Sequence, residues 1–237
     1  MSAFEQLLVV QQHDTHAAQL THRRAVLPER TALHEAEAEV SAIGARLTAA
    51  EQQHHELSRE QKRLEDQIAV LQAKATSVDK AMYGGTVSNV RELQAMGDEV
   101  KSLQRRVSQL EDQELEVMER IEPVEAEMAQ LTKERADMAD QAERLRAEVT
   151  VNEAEIDGDL ERAQADREVA AAEIPGELLA EYDRLRRQLG GIGVARLVNG
   201  QCGGCHLKLS AVELDRLRRQ AGDAVVHCDE CGRLLVR

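Results

Sequence analysis

The chain has no tryptophan, one phenylalanine and two tyrosines among 237 residues. Aromatic side chains supply much of the buried area of large globular cores, so one extensive core is excluded. Only three prolines occur, Pro28, Pro123 and Pro175, which leaves long stretches with nothing to break a helix. An apolar run of about 18 residues, the length a membrane-spanning helix needs, is absent. Met1 to Leu20 lacks the basic segment, apolar core and cleavage site of an export signal. Cysteine is missing everywhere except at Cys202, Cys205, Cys228 and Cys231. With no export signal and no cysteine left over for disulfides, the expected compartment is the reducing cytoplasm.

What remains is rich in Ala, Leu, Glu, Arg and Gln, the composition of long helices and coiled coils. From Leu33 an apolar seam advances in alternating steps of three and four over fifteen positions to Met82, with only His54 and Gln61 polar. Tyr83-Gly84-Gly85-Thr86-Val87-Ser88 interrupts it. Asn89 with Glu92 reads as a capping box for a new helix. A second seam then runs from Leu93 to Ile156, with sixteen of nineteen positions apolar. Two seams joined by a short glycine turn should fold into an antiparallel hairpin with its tip at 83–89. Aligning Met82 with Leu93 places Gln61 opposite Glu114 as a polar pair in the seam. Pro123 should kink the second helix locally. Met1 to Leu27 reads as a further helix, ended at Leu27-Pro28, that lies beside the end of the second seam. The expected division is therefore a hairpin over 1–174 and a small domain over 175–237, in an elongated monomer.

The small domain holds Cys202-Gly203-Gly204-Cys205 and, after 22 intervening residues, Cys228-Asp229-Glu230-Cys231. Paired CxxC knuckles at this spacing complete a tetrahedron of thiolates, and no ligand position is left for water. That points to one structural zinc rather than a catalytic one, with iron the other metal such a cage suits. Cys202 to His206 also spells the attachment motif for c-type haem, and each CxxC alone could be a redox dithiol. The missing export signal argues against haem and the paired spacing argues against redox. The knuckle glycines Gly203, Gly204 and Gly232 are read as positions needing positive φ, and His206 and His227 as strand residues flanking a filled site. Strands are expected at Ile192–Val198, Ala224–His227 and Arg233–Val236. Pro175 should start a short helix. Ser210 to Glu213 is a capping box for a helix reaching about Gln220. The fold class is thus mostly α: a long hairpin followed by a small α+β zinc ribbon.

Charge divides the chain the same way. Residues 1–175 carry 20 Lys and Arg against 36 Asp and Glu, whereas residues 176–237 carry 10 against 8. In the ribbon Lys208, Arg216, Arg218, Arg219 and Arg233 are the candidate partner-binding residues. The hexapeptide Asp-Arg-Leu-Arg-Arg-Gln occurs twice, from Asp183 and from Asp215. Guanidinium forks suit phosphate oxygens, so nucleic acid is one candidate partner. Against it, residues 190–237 hold no aromatic for base stacking, and the acidic hairpin repels a polyanion. A protein partner is the other candidate, and the better supported. No phosphate loop or nucleophile motif occurs and the carboxylates lie on solvated faces, so neither an enzyme nor a small-molecule substrate is expected.

Taken together, Leu27-Pro28, the turn with Asn89-x-x-Glu92-Leu93-Gln94-Ala95, Pro175 with Tyr182, and the two knuckles followed by Gly232-Arg233-Leu234-Leu235 resemble a known family. It comprises bacterial proteins with a long N-terminal coiled coil and a C-terminal four-cysteine ribbon, and includes the flagellar zinc-ribbon protein. The likeness spans essentially the whole chain. It implies a non-enzymatic cytoplasmic protein whose relatives engage an alternative sigma factor, secretion or flagellar components and, in some cases, RNA. The 24 Arg against 6 Lys suit a high-GC genome whose host can lack flagella, so the particular partner does not transfer.

Overall fold

The computed structural model describes residues 2–85, 88–221 and 224–237; Thr86 and Val87, part of the expected tip, lie outside the described residues. Among the described residues, five helices and three short strands follow in order: α1 (Ala3–Ala25), α2 (Pro28–Tyr83), α3 (Val90–Ala171), α4 (Gly176–Gln188), β1 (Val194–Val198), β2 (Gln201–Cys202), α5 (Ala211–Arg219) and β3 (Leu234–Val236). The chain divides into two compact units, Leu33–Arg144 and Met1–Ala32 with Leu145–Arg237.

In the unit from Leu33 to Arg144, the seam residues of α2 and α3 form one apolar core, with Ile43, Ala50, Leu57, Leu64 and Ile68 packed among Val107, Leu110, Val117, Ile121, Val124 and Leu131. The two helices therefore pair as the seams require. Asn89 caps α3, its Oδ1 accepting from the Arg91 N–H at 3.0 Å, so the side chain serves the second helical residue rather than Glu92. α3 continues as one helix through Pro123, and Ile121 and Val124 on either side of it are buried.

The register differs from the sequence alignment by about one helical turn. His54 Nε2 lies 3.1 Å from Glu125 Oε1, a Cβ on Gly44 would meet Arg135, and one on Gly97 would meet Met82. Gln61 faces the Leu115–Met118 level of α3 and donates to Glu65 of its own helix, so the expected Gln61–Glu114 pair does not form. A heptad seam tolerates either alignment, since both bury Leu, Val and Ile. Charged residues flanking the seam separate the two.

The other unit has three apolar clusters. Leu20 and Leu27 pack on Ile156 and Leu160, which seats α1 against the end of α3. Val26 closes α1 by donating to the His22 carbonyl, and α2 begins at Pro28, so the expected break is present. A second cluster joins Leu7 and Val10 of α1 to Leu178, Tyr182 and Leu185 of α4 and to Val194, Leu234 and Val236 of the sheet. The third fills the ribbon with Ala195, Leu209, Leu217, Val226 and Leu235 beside Cys202 and Cys228. The sheet order is β2-β1-β3, with β1 antiparallel to β2 and parallel to β3. The strand expected over Ala224–His227 is not formed; that segment contributes a single bridge from His227 to Leu234.

Replacing Leu131, which is 1 % exposed, by alanine should cost about 2–5 kcal/mol, read from denaturant unfolding of the helical signal. Val90→Ala, at an exposed position, should change stability by less than about 0.5 kcal/mol.

Candidate metal centre

Each cysteine pair closes a tight turn by the same backbone bond. In the first knuckle the His206 N–H donates to the Cys202 carbonyl at 2.8 Å; in the second the Gly232 N–H donates to the Cys228 carbonyl at 2.8 Å. The residue after each second cysteine takes left-handed backbone, His206 with φ 60° and Gly232 with φ 74°. His206 is thus the counterpart of Gly232 and not a strand residue. Gly203 and Gly204 are needed for a different reason than positive φ. A Cβ on Gly203 would lie 2.9 Å from the Arg196 carbonyl, and one on Gly204 would lie 2.6 Å from Arg233 Cδ. Both glycines let the knuckle press against β1 and the Arg233 side chain.

The four Sγ atoms lie within 4.8 Å of one another, with Cys202–Cys231 at 4.0 Å and Cys205–Cys228 at 3.9 Å. Sulfurs about 2.3 Å from a common centre in a tetrahedron are about 3.8 Å apart, so the cage fits zinc. A disulfide needs about 2.0 Å, and all four cysteines are free. Burial pushes the Cys228 thiol up to about 12. At Cys231 burial acts the same way but is outweighed by N–H groups of Arg233 and by neighbouring thiols, which bring it down to about 7. The Gly204 N–H points at Cys202 Sγ from 3.4 Å. A dication among these sulfurs converts all four to thiolates and removes the penalty of burying them. The site holds one structural zinc, closed by Cys202, Cys205, Cys228 and Cys231.

α5 is tied to the second knuckle. Ser210 Oγ accepts from the Glu213 N–H as expected, but the buried Glu213 carboxylate accepts from the Asp229 N–H at 3.2 Å instead of reaching back to Ser210. Two arginines flanking β3 cap the ends of the two helices that carry the repeated hexapeptide. Arg233 donates to the carbonyls of Leu189 and Ile192, just beyond α4, and Arg237 to those of Leu217, Gln220 and Ala221 at the end of α5. The leucine inside each repeat, Leu185 and Leu217, is buried.

A polar junction that the sequence did not single out holds α1 against the ribbon. Asp14, 4 % exposed, accepts from the Tyr182 hydroxyl at 2.7 Å and from Arg167 at 2.9 Å, and Arg186 stands 3.1 Å away. Arg167 also reaches Asp183 at 2.7 Å. Burial, reinforced by the bond to Asp14, pushes the Tyr182 phenol far above its ordinary range and keeps it a donor. One turn earlier, Gln11 donates to the Gly191 carbonyl and accepts from the Gly193 N–H, holding the loop into β1. The visible signal was a single Tyr in the ribbon-proximal sequence, with a carboxylate amid apolar positions of α1.

The five partner-binding candidates separate into two groups. Arg216 forks onto both oxygens of Asp229 at 2.8 and 3.0 Å, Arg219 pairs with Asp215, and Arg233 is spent on carbonyls. Lys208 and Arg218 are exposed and have no carboxylate partner among the described residues. They flank the Asn199-Gly200 turn, Lys208 through its bridge to Gln201 and Arg218 through a groove lined by Leu197, Gly200 and Leu214. His227 is no ligand; its Nε2 lies 3.0 Å from Glu181 Oε1.

Residues 10–190 match the CT398-like coiled coil hairpin domain and residues 201–235 the C4-type zinc ribbon domain. An uncharacterized protein of Mycobacterium tuberculosis strain H37Rv is 32% identical over 233 residues, covering 98% of this chain and 94% of that one. A solved protein of Mycobacterium smegmatis superimposes with a TM-score of 0.88 at 26% identity, over 100% of this chain and 97% of the other. CT398 from Chlamydia trachomatis shares the fold with a TM-score of 0.69 at 20% identity, over 99% and 97% of the two chains.

Cys228→Ser should lower zinc, measured by elemental analysis of freshly purified reduced protein, from one per chain to well below half, since three thiolates leave the tetrahedron open. Asp14→Ala strands two guanidiniums and should cost about 2–4 kcal/mol in denaturant unfolding, less than a fully buried pair because both reach solvent. Asp166→Ala, an exposed acid on the same stretch of α3, should leave stability within about 0.5 kcal/mol.

Proposed function

The chain belongs to the CT398-like coiled-coil hairpin family and carries a C4-type zinc ribbon, and on that basis we propose that it is a non-enzymatic cytoplasmic adaptor whose ribbon docks a protein partner. The observation that carries the reading is the ribbon surface around the Asn199-Gly200 turn. Val198 adjoins that turn and Leu207 adjoins Lys208, each exposed at half its area, and Lys208 and Arg218 have no carboxylate partner among the described residues. Apolar side chains with two free positive charges suit a partner segment that carries apolar residues and a carboxylate. The metal supports this role by fixing the surface rather than by reacting, because its four ligands leave no exchangeable position. Arg216 and Arg219 have to release Asp229 and Asp215 before binding anything, which makes Lys208 and Arg218 the better anchors.

Nucleic acid is the second reading, and the same two cations favour it. It would make affinity fall steeply with salt, because phosphate contacts release counterions. The test sets Lys208→Ala with Arg218→Ala beside the zinc-loaded parent in two assays, a mobility shift against mixed RNA and DNA and a pull-down from the native cytosol. A protein captured by the parent and lost from the double variant, with no shift of nucleic acid, is the expected result. A salt-sensitive shift that the double variant loses would replace the adaptor by the nucleic-acid reading. Binding unchanged by the double variant in both assays would remove this surface altogether.

A further inference from the structure

The unit from Leu33 to Arg144 has two unlike edges. On one, α2 and α3 border a groove of about 710 Å³ whose floor is Val70, Leu71 and Leu110 and whose rim is Arg59, Lys62, Arg63 and Arg106, with Asp66 its one acid. Val70 is 67 % exposed, and Arg59 and Arg106 have no carboxylate partner among the described residues. On the other edge, α3 presents Leu115 and Met118, 58 % and 46 % exposed, with Glu119, Glu122 and Glu125 around them. Glu119 and Glu122 have no cation partner among the described residues.

The heptad positions set these two surfaces on opposite flanks of the seam. Arg106 lies one residue before the seam residue Val107, whereas Met118 and Glu125 lie one residue after Val117 and Val124. Lys62 and Arg63 of the groove pair with Asp66 and Glu60, so each edge joins exposed apolar side chains to two unpaired charges, Arg59 and Arg106 on one and Glu119 and Glu122 on the other, and the signs are opposite. We propose that the acidic edge of one hairpin seats in the basic groove of a second copy of this chain. The hairpin itself still closes within one chain; the association is between hairpins, in place of the monomer that the seams alone suggest. Leu115 and Met118 would cover Val70 and Leu71 while Glu119 and Glu122 face Arg59 and Arg106. The overall charge of −14 opposes the approach of two copies, but that repulsion is screened beyond about 8 Å at physiological ionic strength whereas the edge contacts are not. Because groove and ridge are different surfaces, the contact is heterologous and each dimer keeps one unused edge of each kind.

Sedimentation velocity on the zinc-loaded full chain tests this with charge reversals at exposed positions. The wild type should show species larger than the monomer that grow with concentration. Arg59→Glu with Arg106→Glu, and separately Glu119→Arg with Glu122→Arg, should each weaken association about ten-fold or more while circular dichroism stays unchanged. Mixed in equal amounts, the two variants should associate again, because one retains the native ridge and the other the native groove. A wild type that remains monomeric up to hundreds of micromolar overturns the proposal and leaves both edges to other proteins. So does a variant pair that associates no better mixed than apart.

Discussion

Four thiolates around one metal are the constraint on which the C-terminal part of this chain depends. Its strands are five, two and three residues long, and its single internal helix has nine, so neither sheet nor helix could stand alone. A structural zinc contributes on the order of 10–16 kcal/mol of apparent binding energy, a term as large as the gross gain from the few apolar side chains buried in the ribbon. Each other feature of the ribbon is placed relative to a knuckle: Gly203 and Gly204 press the first onto β1 and the Arg233 side chain, Glu213 ties α5 to the second, and Arg233 runs from the second knuckle to the end of α4. The metal acts as a joint, and the surface around Asn199 and Gly200, the proposed docking face, is held by it.

The ribbon is also anchored from the far end of the sequence. α1 contributes Leu7 and Val10 to the core under the sheet and then makes two polar fastenings, Gln11 to the loop before β1 and Asp14 to Tyr182, Arg167 and Arg186. Buried charges of this kind add less to stability than they subtract when one partner is lost, and they admit few alternative packings. The junction therefore fixes how α1, α4 and the sheet meet. Close packing reinforces it: a Cβ on Gly193 would lie 2.8 Å from the Tyr182 carbonyl.

Much of this was legible before any coordinates. The seams were visible because burial along one helix face repeats every three or four residues, and the metal because only thiolates at that spacing close a tetrahedron. Three features were not legible, each for a physical reason. The hairpin register slipped by about one turn because Leu, Val and Ile fit either alignment, and a contact such as His54–Glu125 becomes informative only once the helices are paired. The sequence of α1 does not single out Asp14 or Gln11, since a polar side chain becomes a core residue only when its partners arrive from far along the chain. The sequence groups the arginines by charge alone, but Arg216 and Arg233 have partners that only tertiary structure supplies, whereas the Arg219 pair with Asp215 is a one-turn contact within α5.

The central claim is that the sulfur tetrahedron, rather than apolar packing, holds the C-terminal sheet and α5 together. Hydrogen exchange measured on the full chain before and after removal of zinc by a chelator tests it most directly. The account predicts that amides of β1, β3 and α5 lose their protection while those of α2 and α3 between Leu33 and Arg144 keep theirs. A ribbon that stays protected without metal would contradict it.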